Sequence, residues 1–491
     1  MRETAKRQRE VPGGKWIFED APIPRAVAEM AVPTVITQLI NIVYNFADTW
    51  YVGRTGNAAM VAALSVCMPI YVYMAAIANL FGIGGSSAIS RSLGRKQTGR
   101  ARHIFAFCLF GGLVAALLYA LIMLVFGGRI IPLIGGDDRS SPYVRDYIFW
   151  TMILGAIPTV GNVLCGHLVR SIGAAKQAGF GMSMGAILNI VLDPLFMFVI
   201  LPPGHEVAGA AAATLISNTA SLLYFLVFLV RHRENPVFTV NPAEISFSAG
   251  IPGDVLLVGI PAALQTMLAM TSNIFANALV RGYGSEAVAG MGVAKKINMI
   301  AFNTTMGLTQ GILPLLGYNY GAGNYRRMRK TIRFTAVIGL VFTTSCLLVF
   351  RGFAVPMVRF FIAEEKSVAF GSTFLRIIAF AAPLCTFSYL MNAVFQASGW
   401  KRCSLVLSVC RKGLLDIPAM FFFRGAFGAL GVVLATPFAE TLSLGLAVVM
   451  YLVYVKKLPA PAGRKDDVSG TAGRVASGMT GDGRKNEDFS Q

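Results

Sequence analysis

The sequence predicts an all-α integral membrane protein, twelve transmembrane helices in two six-helix lobes related by a pseudo-twofold axis along the membrane normal. Three observations predict it. The mean hydropathy is +0.62, with 55% hydrophobic and 14% charged residues, and the apolar residues fall in blocks long enough to cross a bilayer, which takes about 20 residues per helix. Two stretches about 228 residues apart read as copies: Met30-Ala-Val-Pro33 to Tyr51-Val-Gly-Arg-Thr-Gly56, and Val258-Gly-Ile-Pro261 to Val280-Arg-Gly-Tyr-Gly284. Basic residues fall on alternate loops. Each copy holds six blocks, an even number, so both enter the membrane from the same side and their symmetry axis runs along the normal.

The blocks lie near 28–52, 59–90, 103–127, 145–171, 177–201, 207–231, 254–281, 286–318, 331–356, 368–398, 402–424 and 428–455. Prolines inside them (Pro33, Pro69, Pro158, Pro261, Pro314, Pro383) predict kinked, closely packed helices, since neighbouring helices re-satisfy the freed backbone groups. The expected division is a cytoplasmic N-terminal segment over 1–24, an N-terminal lobe over 25–231, a linker over 232–253, a C-terminal lobe over 254–456 and a disordered cytoplasmic tail over 457–491. Residues 1–24 lack the apolar core of a signal peptide, and the tail is rich in Gly, Ser, Arg and Asp.

The net charge of +19 would point to nucleic acid in a soluble protein. Its placement says otherwise. Arg91, Arg95, Lys96, Arg100 and Arg102 follow the second block, Arg231 and Arg233 the sixth, and Arg326, Arg327, Arg329, Lys330 and Arg333 the eighth. With the basic N-terminal segment and tail they share one side, while the opposite loops carry Asp137, Asp138, Glu206, Glu286, Glu364 and Glu365. The positive-inside rule then places both termini in the cytoplasm of a multi-pass protein of the plasma (inner) membrane, with no nucleic-acid partner.

A carboxylate at bilayer depth costs roughly 2.5 to 3.5 kcal/mol on insertion scales, so charges within blocks mark candidate sites. In the first block Thr34, Gln38, Asn41, Asn45 and Asp48 recur at spacings of four and three, which puts them on one helical face. Tyr44 borders that face. The stripe predicts a wall of a water-filled substrate cavity, against the alternative of hydrogen bonds that only join helices. In the fifth block Asn189 and Asp193 share a face, and Pro194 frees a carbonyl one turn back. Amide, carboxylate and carbonyl are hard oxygen ligands for an alkali cation, and the carboxylate can bind a proton instead.

The second copy has Ala269, Asn273 and Ala276 where the first has Asn41, Asn45 and Asp48. Asp416 matches Asp193, but Lys412 stands one turn before it and Arg411 is adjacent, so that acid is neutralised within its own helix. Coupling is therefore expected in the N-terminal lobe. The C-terminal lobe holds Lys295, Lys296, Arg376, Arg411 and Lys412 at depth; pairing with Asp416 or Glu440 and attraction of an anionic headgroup are the two readings.

Other signals are background. No GxxxxGK[ST] loop is present, the histidines lack metal-ligand spacing, and Gly82-Ile-Gly-Gly85 reads as helix packing. The seven cysteines lack CxxC spacing and read as free packing residues. No nucleophile, base or metal constellation supports an enzyme. No cofactor is expected beyond a coupling proton or sodium ion, with no metal except sodium at Asp48, Asn189 and Asp193.

With these residues in hand, the chain resembles the multidrug and toxic compound extrusion (MATE) family over roughly residues 25–455. The resemblance rests on Pro33 followed by Tyr44-Asn45-Phe-Ala-Asp48-Thr-Trp-Tyr-Val-Gly53, on Asn189-Ile-Val-Leu-Asp193-Pro194, and on Gly209-Ala-Ala-Ala-Ala-Thr214. It implies two six-helix lobes in a V and a monomer that exports cationic amphipathic compounds against an inward proton or sodium flow. It implies coupling-ion roles for Asp48, Asn189, Asp193 and Thr214, and a bend of the first helix at Pro33. One branch of the family carries a glutamate in the seventh helix; the segment Pro261-Ala-Ala-Leu-Gln265-Thr-Met-Leu-Ala269 has none, which points to the bacterial DinF or MepA type. A flippase of the same superfamily for lipid-linked oligosaccharide or other anionic cargo is the alternative, favoured by the second-lobe cations and disfavoured by Asp48 and Asp193.

Overall fold

The computed structural model describes residues 14–133, 137–248 and 250–457, and the chain before residue 14 and the expected tail after 457 lie outside them. Twelve helical crossings run through the described residues. They are α1 (Ile23–Gly53), α2 (Ala58–Gly94), α3 (Thr98–Leu133), α4 (Ser141–Tyr147, Ile148–Leu154 and Ala156–Ser171), α5 (Ala175–Leu195 and Phe196–Ile200) and α6 (Glu206–Arg231) in the first lobe. The second lobe holds α7 (Ile251–Arg281), α8 (Ser285–Gly321), α9 (Tyr325–Gly352), α10 (Glu365–Ile378 and Ala381–Ser398), α11 (Lys401–Val409, Cys410–Asp416 and Ile417–Phe427) and α12 (Ala429–Lys457). Eight are unbroken apolar spans; α4 and α10 cross as bent pairs, by 51° and 43°. The remaining two are α8, which carries Lys295 and Lys296 in its first half, and the segmented α11.

The irregularities have local causes. Both bends fall just ahead of a proline, Pro158 and Pro383, which restricts the backbone before it and withholds a hydrogen bond. A π-helical turn at Phe196–Ile200 follows Pro194, and another, Cys410–Asp416, ends two residues before Pro418. Each of these fifth-in-lobe helices is therefore distorted next to its buried acid.

The first lobe packs around Phe81, Phe105, Leu164 and Phe225 and, separately, around Met74, Tyr119, Ile148 and Val160; the second packs around Val280, Met291, Phe374 and Val433. Another core joins the lobes at the end bearing Arg91 and Arg327, through Phe18, Met30, Leu313, Tyr318 and Phe395. The seam there is made by glycines that let backbones touch. A Cβ added at Gly84 would overlap the Val255 carbonyl, and one at Gly259 the Leu80 carbonyl. Across the axis, a Cβ at Gly94 would overlap the Tyr318 carbonyl and one at Gly321 the Arg91 carbonyl.

Two further ties hold this basic end. A short helix, Gly14–Glu19, stacks Phe18 on Tyr318 with ring centroids 4.8 Å apart. Arg327 at the start of α9 donates to the carbonyls of Phe18 (2.8 Å), Ile17 (3.0 Å) and Ala21 (2.6 Å). The connection between α6 and α7 is packed rather than free. Phe238 lies against Phe105 and Phe228, each at 5.7 Å, and Glu244 pairs with Arg102 at 3.0 Å.

Candidate functional site

The sequence spacing of α1 becomes three distinct faces. At about 100° per residue, Val32, Ile36, Leu39, Val43 and Trp50 form one exposed apolar face, and the polar stripe lies roughly opposite. Between them α1 is flanked on both sides. Gly179 of α5 abuts Pro33, and Gly307 and Gly311 of α8 abut Val35 and Ala31. Thr37 ties the α5 side: its hydroxyl lies 3.2 Å from the Gly179 carbonyl and 3.0 Å from Ser183 Oγ. The stripe is thus held between α5 and α8, turned away from the apolar face.

Along the stripe Thr34 is buried and spends its hydroxyl on the Met30 carbonyl at 3.2 Å. Asn41 donates to Gln38 Oε1 at 3.4 Å, and Asn45 to the Asn41 carbonyl at 2.6 Å. Gln38, Asn41, Tyr44 and Asp48 are half-buried and Asn45 is exposed. Among the described residues Asp48 makes no hydrogen bond or ion pair. The cation within its electrostatic reach is Lys296 of α8, whose ammonium lies 5.6 Å from the centroid of the Phe46 ring.

Asp193 sits one layer deeper, 1% exposed. Asn189 Nδ2 donates to Asp193 Oδ1 at 3.1 Å and contacts Thr214 Oγ1 at 3.3 Å, while the Thr214 hydroxyl donates to the Ala210 carbonyl at 3.0 Å. Two oxygens of this group, Asn189 Oδ1 and Asp193 Oδ2, are buried without a partner. Buried polar atoms are nearly always satisfied, so two orphaned acceptors on one hydrogen-bonded pair of residues are suited to a cation or a proton. Asp48 lies within electrostatic reach of Asp193. The structure thus gathers Asn189, Asp193 and Thr214 directly, and sets Asp48 near them on the neighbouring helix.

Polar residues that the sequence did not single out border the same lobe. Asn218 of α6 donates to Thr159 of α4 at 3.0 Å and accepts from Asn162 at 3.3 Å. Asn162 is an isolated amide in an apolar block and Asn218 the centre of a Ser217-Asn218-Thr219 run, which is the signal that finds them.

In the second lobe the buried cations are paired. Arg411 Nε lies 2.9 Å from Glu440 Oε1, and the Arg411 guanidinium stacks on Tyr389 at 3.9 Å. Lys412 Nζ lies 3.0 Å from Asp416 Oδ2 and 3.7 Å from Glu440 Oε1, and Ser272 donates to the same Asp416 oxygen at 2.6 Å. Lys295 instead donates to Asn277 at 3.3 Å.

Comparison with known proteins places this geometry. The MatE family profile matches residues 33–195 and again 261–422, once in each lobe. Multidrug export protein MepA of Staphylococcus haemolyticus (strain JCSC1435) is 28% identical over 440 residues, covering 89% of this chain and 95% of the relative. MepA of Staphylococcus aureus (strain MSSA476) is 27% identical over 442 residues, 89% of this chain and 96% of its own. Among solved structures, a MATE in complex with MaL6 superimposes with a TM-score of 0.85 at 23% identity, over 91% of this chain and 99% of that one. A multidrug resistance MATE family transporter of the MOP superfamily, in an outward-facing conformation, gives 0.84 at 24% identity, over 91% and 98%. These likenesses carry the fold. The two profile matches, laid over two lobes of the same architecture, establish that the chain belongs to the MATE family of membrane transporters.

Proposed function

We propose that the chain is a cation-coupled antiporter, driven by protons or sodium, that exports cationic amphipathic drugs or toxic compounds across the plasma membrane by alternating access. The observation that carries the reading is the pair of buried, unpartnered oxygens on Asn189 and Asp193, beside the polar stripe that ends in Asp48. The relatives named as multidrug export proteins support the cargo class. The basic end of the bundle faces the cytoplasm on the positive-inside rule, which puts both termini there.

The cycle follows from charge. With the site open outward, a proton or sodium ion binds among Asp48, Asn189, Asp193 and Thr214. It cancels the negative charge that holds an organic cation against Gln38, Asn41, Tyr44 and Asn45, and the drug leaves. Drug and coupling ion compete for the same charge, which prevents a leak. Pro33, with no N–H to give to its own helix, is the point where α1 bends as the site changes charge. If the coupling ion is a proton, acidification weakens drug binding, because protonation removes the anion the drug needs.

The test uses liposomes with a preset pH gradient, a pH dye and tetraphenylphosphonium, comparing wild type with Asp193→Asn. Collapse of the gradient by the cation in wild type alone supports the reading. If neither protein responds to a pH or a sodium gradient, the reading fails. The second reading, an anionic cargo, is favoured by Lys296 within electrostatic reach of Asp48; it predicts transport of an amphipathic anion that Lys296→Gln abolishes.

A further inference from the structure

The fifth helices of the two lobes carry the same arrangement with one exchange. In α5 the residue four before the acid, Asn189, donates to Asp193 at 3.1 Å and reaches α6 at Thr214. In α11 the residue four before the acid, Lys412, donates to Asp416 at 3.0 Å and reaches α12 at Glu440. Both acids are buried, at 1% and 0% exposure, and both stand next to a π-helical turn. Where the first lobe has a neutral amide and an acid without an ion pair, the second has an ammonium.

We infer that Lys412 is a tethered cation that permanently fills the second lobe's copy of the coupling site, so that coupling ions exchange in the first lobe alone and Lys412 sets the ion stoichiometry of transport. The inference deepens the proposed function and rests on it. The charges in the second cluster balance: Arg411 and Lys412 against Asp416 and Glu440, with Ser272, Cys385 and Tyr389 as neutral neighbours. Lys295 of α8 is the further cation within electrostatic reach. Removing the Lys412 charge leaves one surplus negative charge among these four paired groups, the complement of one monovalent cation, while Lys295 is hydrogen-bonded to Asn277 outside them. The acceptors for it are present, since Asp416 Oδ1 and Glu440 Oε2 are buried without partners.

The experiment labels buried protonated carboxyls with dicyclohexylcarbodiimide in proteoliposomes, with and without excess sodium, and reads the adducts by peptide mass spectrometry. Wild type should carry an adduct on Asp193 and none on Asp416. In Lys412→Asn an Asp416 or Glu440 adduct should appear, and Lys412→Arg should stay unlabelled there. Sodium suppresses the adducts if sodium is the coupling ion. Lys412→Asn should also move one more charge per cycle, so that about 100 mV of potential raises the drug gradient it sustains roughly fiftyfold over wild type. Because Lys412→Asn unbalances a buried cluster, the converse variant is made as well: Asn189→Lys adds the tethered cation to the first lobe and should fold, lose the Asp193 adduct and lose ion-coupled transport.

An Asp416 adduct in wild type equal to that on Asp193 overturns the assignment of Lys412 alone. So does a folded Lys412→Asn protein without a second-lobe adduct, or an Asn189→Lys protein that still transports with wild-type coupling. Failure to label Asp193 in wild type, with or without sodium, overturns the first-lobe reading and the stoichiometric role together.

Discussion

Gly94 and Gly321 meet reciprocal partners across the lobe axis: each lies where a single added carbon would collide with a backbone carbonyl of the other's helix, Tyr318 for Gly94 and Arg91 for Gly321. The contact is one interaction written twice, by two copies of one sequence unit. Its symmetry makes Gly94→Val and Gly321→Val comparable. Each forces α2 and α8 apart and should cost about 1–3 kcal/mol, the usual cost of overpacking. Unfolding midpoints in detergent should fall by similar amounts in the two variants, and a large inequality would refute the reciprocity.

Glu440→Gln strips Arg411 of its ion-pair partner at 0–4% exposure. An uncompensated buried charge costs roughly 3–5 kcal/mol. The variant should express poorly or melt much earlier than wild type, whereas Arg411→Gln combined with Glu440→Gln should recover most of the loss. Thermal unfolding of the three proteins checks this.

Thr37→Val removes two of the hydrogen-bond contacts between α1 and α5, with Gly179 and Ser183, and leaves that of the Tyr51 hydroxyl with the Ile190 carbonyl. Interhelical hydrogen bonds in membranes contribute about 0.6–1.7 kcal/mol each. The fold should survive, while hydrogen exchange over residues 33–40 of α1 should quicken. Unchanged exchange there would show that the glycine contacts on either side suffice.

Arg327→Ala deletes three charged hydrogen bonds to the backbone of residues 17–21. Such bonds are worth roughly 1.5–3 kcal/mol each at most, less where water competes. Limited proteolysis should then cut the segment 14–22 much faster than in wild type, with the remaining helices intact.

Much of this was legible in the sequence because hydrophobic block length and helical spacing report directly on crossings and faces. The stripe from Thr34 to Asp48 stands on one face as its spacing required, and the contacts Asn189–Asp193 and Lys412–Asp416 follow from residues four apart. What sequence could not supply is which helices become neighbours. Lys296 within electrostatic reach of Asp48, and Ser272 and Glu440 around Asp416, come from separate helices whose approach is fixed by glycine notches and bends. The π-helical turns were likewise hidden, since a slipped hydrogen-bond ladder depends on packing as well as on a nearby proline.

The segment ahead of α1 belongs to the first lobe by chain order and to the second by its grip on Tyr318 and Arg327. The α6–α7 connection ties the lobes a second time at that same end, with Arg100 of α3 paired to Asp254 of α7 at 2.7 Å. Two bodies fastened twice at one end behave like tongs held at the rivet: small rotations there become large separations at the far tips, along helices of 37 residues that span about 55 Å at 1.5 Å per residue.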